Sequence, residues 1–319
     1  MRCTRCVAGS LVLVLGLALL VWLGMVPRVP KESNAAPAPV RTGAVFRIGV
    51  IPERDVFAQR QRYRALADYL SDQIGRPVEL VTVSSYEAII EDFKDKQVDA
   101  AFLGSLVAAL AMDRYDAKVI AKPELPSGVS TYRGQIFVRE DSPIHSVKDL
   151  GGKSIVMVRT TLAGHLFPMY ELAQAGLIKG PDACKIIWVG THDDAVIEVA
   201  NIRADAGAAK DLRIDAYASE NNRVKLRVIA QSDPVPENAL VLRKEIAEQI
   251  GASLQKTLLR MNSNPAGKAA LGEFGVTRFV PCNPQEYKAI YDISEKLAGI
   301  WDDVLISGPP PKRLPTTLP

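Results

Sequence analysis

Hydroxyl residues recur in this chain where apolar, strand-like runs give way to helix-like ones. Ser84-Ser85-Tyr86-Glu87 has the Ser-x-x-Glu spacing of a helix capping box, Gly104-Ser105 follows the run 100–103, Thr160-Thr161 follows 154–158, and Thr191-His192-Asp193-Asp194 follows 186–189. The first four amides of a helix have no partner inside it and lie at the positive end of its dipole. Helix starts gathered at the carboxyl ends of strands therefore make a cradle for a small anion. One Ser or Thr at a helix start is ordinary capping; four on alternating units point to binding. His192 has two readings at its helix start, a donor to an oxyanion or a polar side chain of the capping region. The other two histidines, His145 and His165, bring no Cys, Asp or Glu at metal-ligand spacing, and there is no Gly-x-Ser-x-Gly elbow and no P-loop. Neither an enzyme nor a cofactor is expected.

The elements that must position these junctions alternate. Strands are predicted at 46–51, 78–83, 100–103, 119–121, 134–138, 154–158, 186–189, 225–230 and 239–243. Helices are predicted at 59–74, where Tyr63, Leu66, Ala67, Leu70 and Ile74 form one stripe, and at 86–94, 106–112, 147–150, 166–175, 195–201 and 246–261. The class is α/β. A return to strand and long helix late in the chain is what a discontinuous domain needs, so two lobes with a cleft and hinge are expected. Lobe 1 takes 44–130 and 232–307, lobe 2 takes 131–231, and the crossings fall near Ser130 and Ser232.

Composition sets the outer bounds. The 319 residues, 48% of them hydrophobic, suffice for two ordinary domains, and 39 Lys and Arg against 36 Asp and Glu give a net charge of +3, too little to hold a nucleic-acid backbone. Arg2 and Arg5 precede an uncharged apolar run, 7–26, which at about 1.5 Å per residue just reaches across a bilayer core of about 30 Å. Residues 1–43 thus hold either a signal anchor with its arginines in the cytoplasm or a signal peptide cut after Ser33-Asn34-Ala35, followed by the Pro/Ala-rich tether 36–42. Either way the body faces an oxidising, periplasmic space, tethered to the inner membrane if the segment persists. Residues 308–319 form a Pro-rich tail. Cys184 and Cys282 fall on different proposed lobes, so they are either free thiols or a bridge that would restrict closure.

The order of residues also carries a resemblance. The stretch 132–149 (YRGQIFVREDSPIHSVKD), Gly164-His165-Leu166-Phe167-Pro168, and Gly190-Thr191-His192-Asp193 with Val199-Ala200-Asn201 and Asp205-Ala206 resemble the phosphate/phosphite/phosphonate-binding proteins of ABC importers, which are type II periplasmic binding proteins. Ile48-Gly49-Val50, the run from Asp99 to Gly104 and Ser232-Asp233-Pro234-Val235-Pro236 extend the likeness from 46 to about 280. The resemblance implies two lobes closing on a small oxyanion, without cofactor or chemical step, and an ABC permease as partner. Some relatives act as sensors, including sensors of arsenite, so an alternative partner is a membrane histidine kinase, with Cys184 as the internal thiol for a soft ligand.

Junctions and resemblance together nominate Tyr86, Ser105, Tyr132, Thr160, Thr161, Gly164, His192, Asp193 and Asn238 as ligand-binding residues. The chain also departs from the family. Its anion loop usually reads Ser-Thr-Ser-Gly, whereas Thr160-Thr161-Leu162-Ala163-Gly164 lacks two of those hydroxyls, each worth about 1.5–3 kcal/mol to a charged ligand. Arg159, just before the loop, is a candidate for the missing positive charge. Where binders of aminoalkyl phosphonates are expected to carry acids for the amine, this chain has Leu212 or Asp211 and Asn238.

Overall fold

The computed structural model of the protein describes residues 43–51, 56–83, 88–220, 224–304, 306 and 309–311. The apolar run 7–26, the tether, Tyr86 with its capping box, and the tail beyond Pro311 lie outside the described residues. The described residues all belong to one compact unit, Val40–Pro319.

In chain order the strands are β1 (Phe46–Val50), β2 (Val78–Thr82), β3 (Ala100–Leu103), β4 (Lys118–Glu124), β5 (Thr131–Tyr132), β6 (Gly134–Arg139), β7 (Ser154–Val158), β8 (Lys185–Val189), β9 (Ala206–Lys210), β10 (Leu226–Gln231), β11 (Val235–Pro236), β12 (Ala239–Leu242) and β13 (Arg278–Pro281). They form one six-stranded sheet in the order β13-β4-β12-β3-β1-β2, one five-stranded sheet in the order β10-β6-β9-β7-β8, and a two-stranded sheet of β11 and β5. β1 lies parallel to β2 and β3, and β7 lies parallel to β8 and β9, as strand–helix–strand units require. The chain leaves the first sheet after β4 and returns as β12, which pairs antiparallel with both β3 and β4. Both crossings run side by side: β5 pairs antiparallel with β11, and Glu237 N–H and Ser232 N–H donate to the carbonyls of Ser130 and Gly134 at 3.0 and 2.8 Å.

Apolar periodicity explains the helices that cover the first sheet. Leu66 and Leu70 of helix Val56–Ile74 are buried against Phe46, Ile48 and Phe102. Tyr63 of the same helix meets Phe274, at the end of helix Pro265–Phe274, edge-on with ring centroids 4.8 Å apart. No helix among the described residues is long and apolar enough to cross a membrane.

Several elements differ from the sequence reading. The helix expected over 246–261 is present as a continuous helical run from Lys244 to Leu259 that widens into a π turn at Ala247–Gly251 and is followed by a 3-10 turn, Met261–Ser263. Gly251, a weak helix former, ends the wide turn. The helix expected at 166–175 is preceded by a π turn, Leu162–Leu166, and runs Phe167–Gln174. β9, Ala-Gly-Ala-Ala-Lys, escapes prediction because it has no β-branched or aromatic residue; its place between β6 and β7 makes it a strand.

Cys184 and Cys282 are both free and buried. The Cys184 thiol donates to the Lys153 carbonyl at 3.3 Å, and Cys282 Sγ lies 3.6 Å from the Tyr287 hydroxyl. Burial pushes their pKa up to about 11 and about 12 respectively, so neither is a thiolate at neutral pH. Mass spectrometry after alkylation tests this pairing state. Both cysteines should resist a thiol reagent in the folded protein and take it up fully in denaturant without reductant; a need for reductant would mean a bridge.

Candidate functional site

A cavity of about 480 Å³ lies where the carboxyl ends of strands from both sheets meet. The second sheet and its helices contribute Thr191, His192, Lys210, Leu212 and Arg213. The first contributes Arg62, Tyr63, Phe102, Pro123, Leu125, Phe274, Gly275 and Val276, and the return crossing adds Glu237 and Asn238.

His192 opens helix His192–Ala200. Its N-cap, Thr191, spends its hydroxyl locally, accepting from Asp194 N–H at 3.1 Å and donating to Asp194 Oδ2 at 2.7 Å. The His192 ring is 7% exposed, and neither ring nitrogen has a hydrogen-bond partner. Burial, reinforced by the positive charges of Lys210 and Arg213, lowers its pKa to about 3. At neutral pH it is therefore an uncharged imidazole with one N–H to give.

Two cations flank it. Arg213 grips Asp193 in a bidentate fork, Nε to Oδ1 at 2.7 Å and Nη2 to Oδ2 at 2.6 Å, so Asp193 orients the guanidinium and does not itself line the cavity. Lys210, at the end of β9, donates to Glu237 Oε1 at 2.5 Å and to Asn238 Oδ1 at 3.1 Å, and its ammonium lies 4.1 Å from the centre of the Tyr132 ring. Glu237 Oε1 also accepts from Asn238 N–H at 2.9 Å. Removing one partner of an ion pair this buried typically costs about 3–5 kcal/mol.

The remaining nominated residues have other surroundings. Ser105 opens helix Ser105–Tyr115 and shares a hydrogen bond with the Tyr132 hydroxyl; both are fully buried and neither lines the cavity. Thr161 Oγ1 accepts from Gly164 N–H and donates to the Val158 carbonyl, each at 3.0 Å, so its hydroxyl is consumed by its own turn. Thr160 adopts a left-handed backbone, φ 54°, and its N–H donates to His165 Nδ1 at 2.9 Å. That acceptor role leaves the His165 proton on Nε2, which donates to the Val304 carbonyl. A Cβ on Gly164 would fall 2.7 Å from Val158 Cβ, which is why the turn needs glycine there. Arg159 lies over the Trp188 ring at 4.2 Å, a cation–π contact. The structure thus brings His192 and Asn238 to the cavity and draws Tyr132 and Asp193 in through Lys210 and Arg213. Thr160, Thr161 and Gly164 do not line the cavity.

Sequence reasoning missed Lys210, Arg213, Glu237 and the aromatic wall. A lysine ending the all-small strand β9 was the available signal for the first. Among the described residues no group of His, Cys, Asp or Glu is placed to hold a metal ion.

This architecture is the two-lobed α/β fold of periplasmic binding proteins. A solved structure of PhnD1 from Prochlorococcus marinus (MIT 9301) in complex with methylphosphonate superposes with a TM-score of 0.66 at 22% identity, covering 79% of this chain and 98% of that one. By sequence, residues 48–287 match the family described as ABC transporter, phosphonate, periplasmic substrate-binding protein, and the chain belongs to that family. It is 26% identical to the phosphonates-binding periplasmic protein of Escherichia coli (strain K12) over 217 residues, 66% of this chain. That alignment spans 64% of the E. coli protein, slightly less than two thirds of its length. It is 25% identical over 232 residues to the phosphate-import protein PhnD of Mycolicibacterium smegmatis, covering 68% of this chain and 71% of that protein.

The low pKa of His192 makes stability depend on pH. The unfolded imidazole protonates below about pH 6.5, while the folded one stays neutral down to about pH 3, so folding loses stability as pH falls below 6.5. Chemical denaturation should show a His192 contribution of roughly 2 kcal/mol lost by pH 5. The loss should shrink in His192→Gln; an identical pH profile in the variant would contradict a buried neutral imidazole.

Proposed function

We propose that this chain is the periplasmic solute-binding component of an ABC importer, capturing a phosphate, phosphite or phosphonate-like oxyanion in the cavity between its lobes and delivering it to a membrane permease. The observation that carries this reading is His192, a buried donor with no protein partner, set on the cavity wall beside Lys210 and Arg213. An oxyanion supplies the missing acceptor for the His192 N–H and lies near Lys210 and Arg213, whose charges are already paired with Glu237 and Asp193. The E. coli relative is named for binding phosphonates and the M. smegmatis relative for importing phosphate, which supports the same ligand class. In this reading binding involves no bond making or breaking.

In this reading lobe 1 is 44–130 with 232–307, lobe 2 is 131–231, and the β5–β11 ribbon is the hinge. Closure brings the His192 wall toward Asn238, with the Lys210–Glu237 pair tying the two sides. The apolar run 7–26 either exports the body or stays as an inner-membrane tether.

Isothermal titration with phosphate, phosphite and methylphosphonate tests the proposal. At least one should bind with a single site per chain. His192→Ala should weaken that ligand about 10- to 100-fold, the equivalent of one hydrogen bond to a charged group. Unchanged affinity in the variant would place the ligand elsewhere.

A further inference from the structure

The two walls of the cavity differ in chemistry. Thr191, His192, Lys210 and Arg213 make one side, whereas Tyr63, Phe102, Pro123, Phe274 and Val276 face it from the other. The polar groups on that second wall are Arg62 and the Tyr63 hydroxyl, and neither residue is free of other interactions. The apolar wall is also fixed in place. Phe102 and Phe274 pack with centroids 5.6 Å apart, Phe274 stacks on Phe279 at 5.9 Å, and Tyr63 closes the group edge-on. Of these packed rings, Tyr63 alone carries a hydrogen-bond donor, and Arg62 beside it is the other polar group of the wall.

A bare tetrahedral oxyanion presents acceptor oxygens in every direction. Pressed between these walls, it would satisfy those facing His192 and leave the others desolvated against aromatic carbon, which is unfavourable. An anion with one oxyanion end and one apolar end fits both walls. Size agrees: a volume of about 480 Å³ lies within the range of about 300–1,000 Å³ typical of pockets for drug-sized organic ligands, far larger than one tetrahedral group needs. Resting on the oxyanion reading above, we infer that the ligand class is an organic phosphonate bearing an aryl-sized apolar substituent, its phosphonate held by His192 and Lys210 and its substituent laid on Tyr63, Phe102, Phe274 and Val276. Burial of the added apolar surface then sets the preference among anions.

Calorimetry on the full chain with inorganic phosphate, methylphosphonate and phenylphosphonate decides the matter. Phenylphosphonate should bind at least ten times more tightly than either of the other two. Phe274→Ala should narrow the phenyl-to-methyl affinity ratio at least threefold. Val276→Ser, a smaller change at the cavity edge, should narrow it in the same direction and carries the test should Phe274→Ala fail to fold. Equal or weaker binding of phenylphosphonate, or a ratio untouched in a folded variant, overturns this inference while leaving the oxyanion reading in place. Binding of none of the three ligands overturns both.

Discussion

A buried imidazole with neither nitrogen paired is the constraint around which the cleft is arranged. Leaving such a group unsatisfied costs about 1–3 kcal/mol, and the surrounding structure does not relieve that cost internally. Helix His192–Ala200 holds the ring at its first turn, where Thr191 caps the helix with a hydroxyl committed to Asp194. The same helix start positions Asp193 to fix Arg213. One junction thus supplies a donor, a cap and an orienting acid from four consecutive residues, Thr191 to Asp194.

Lys210 plays the complementary part. It extends from the last residue of β9, bonds Glu237 and Asn238 on the return crossing, and lies over Tyr132, whose hydroxyl pairs with Ser105 at the start of helix Ser105–Tyr115. This chain of contacts links the second sheet, both crossings and the first sheet through one ammonium. Its charge is compensated by Glu237, so the wall is polarised without a large net charge. A ligand anion therefore competes with, or joins, an existing ion pair rather than meeting an isolated cation.

The architecture was legible because its signals are local. Alternating apolar runs and hydroxyl-bearing junctions marked the strand–helix units up to β8, and the late return to strand at β12 implied a discontinuous first sheet, whereas the helices Asp211–Glu220, Pro265–Phe274 and Lys288–Leu297 and the strand β13 were not read from the sequence. The strand β9 was not legible, since Ala-Gly-Ala-Ala-Lys has no β preference of its own and is held by its neighbours on both sides. The site was legible only in part for a similar reason. His192 announced itself by sitting at a helix start. Glu237 and Lys210, 27 positions apart, meet only through the pairing of the crossings. The aromatic wall is assembled from positions 63, 102 and 274, a combination that spacing along the chain cannot suggest. At Thr160 and Thr161 the sequence shows suitable residue types at a strand end, and the structure commits the Thr161 hydroxyl to its own turn.

A crystal structure of the protein soaked with methylphosphonate tests the account most directly. The account predicts a phosphonate oxygen within hydrogen-bond distance, about 2.7–3.2 Å, of a His192 ring nitrogen, with the Lys210 ammonium alongside. Density for the anion at the Thr160-Thr161 turn, with the His192 nitrogens still unpaired, would contradict it.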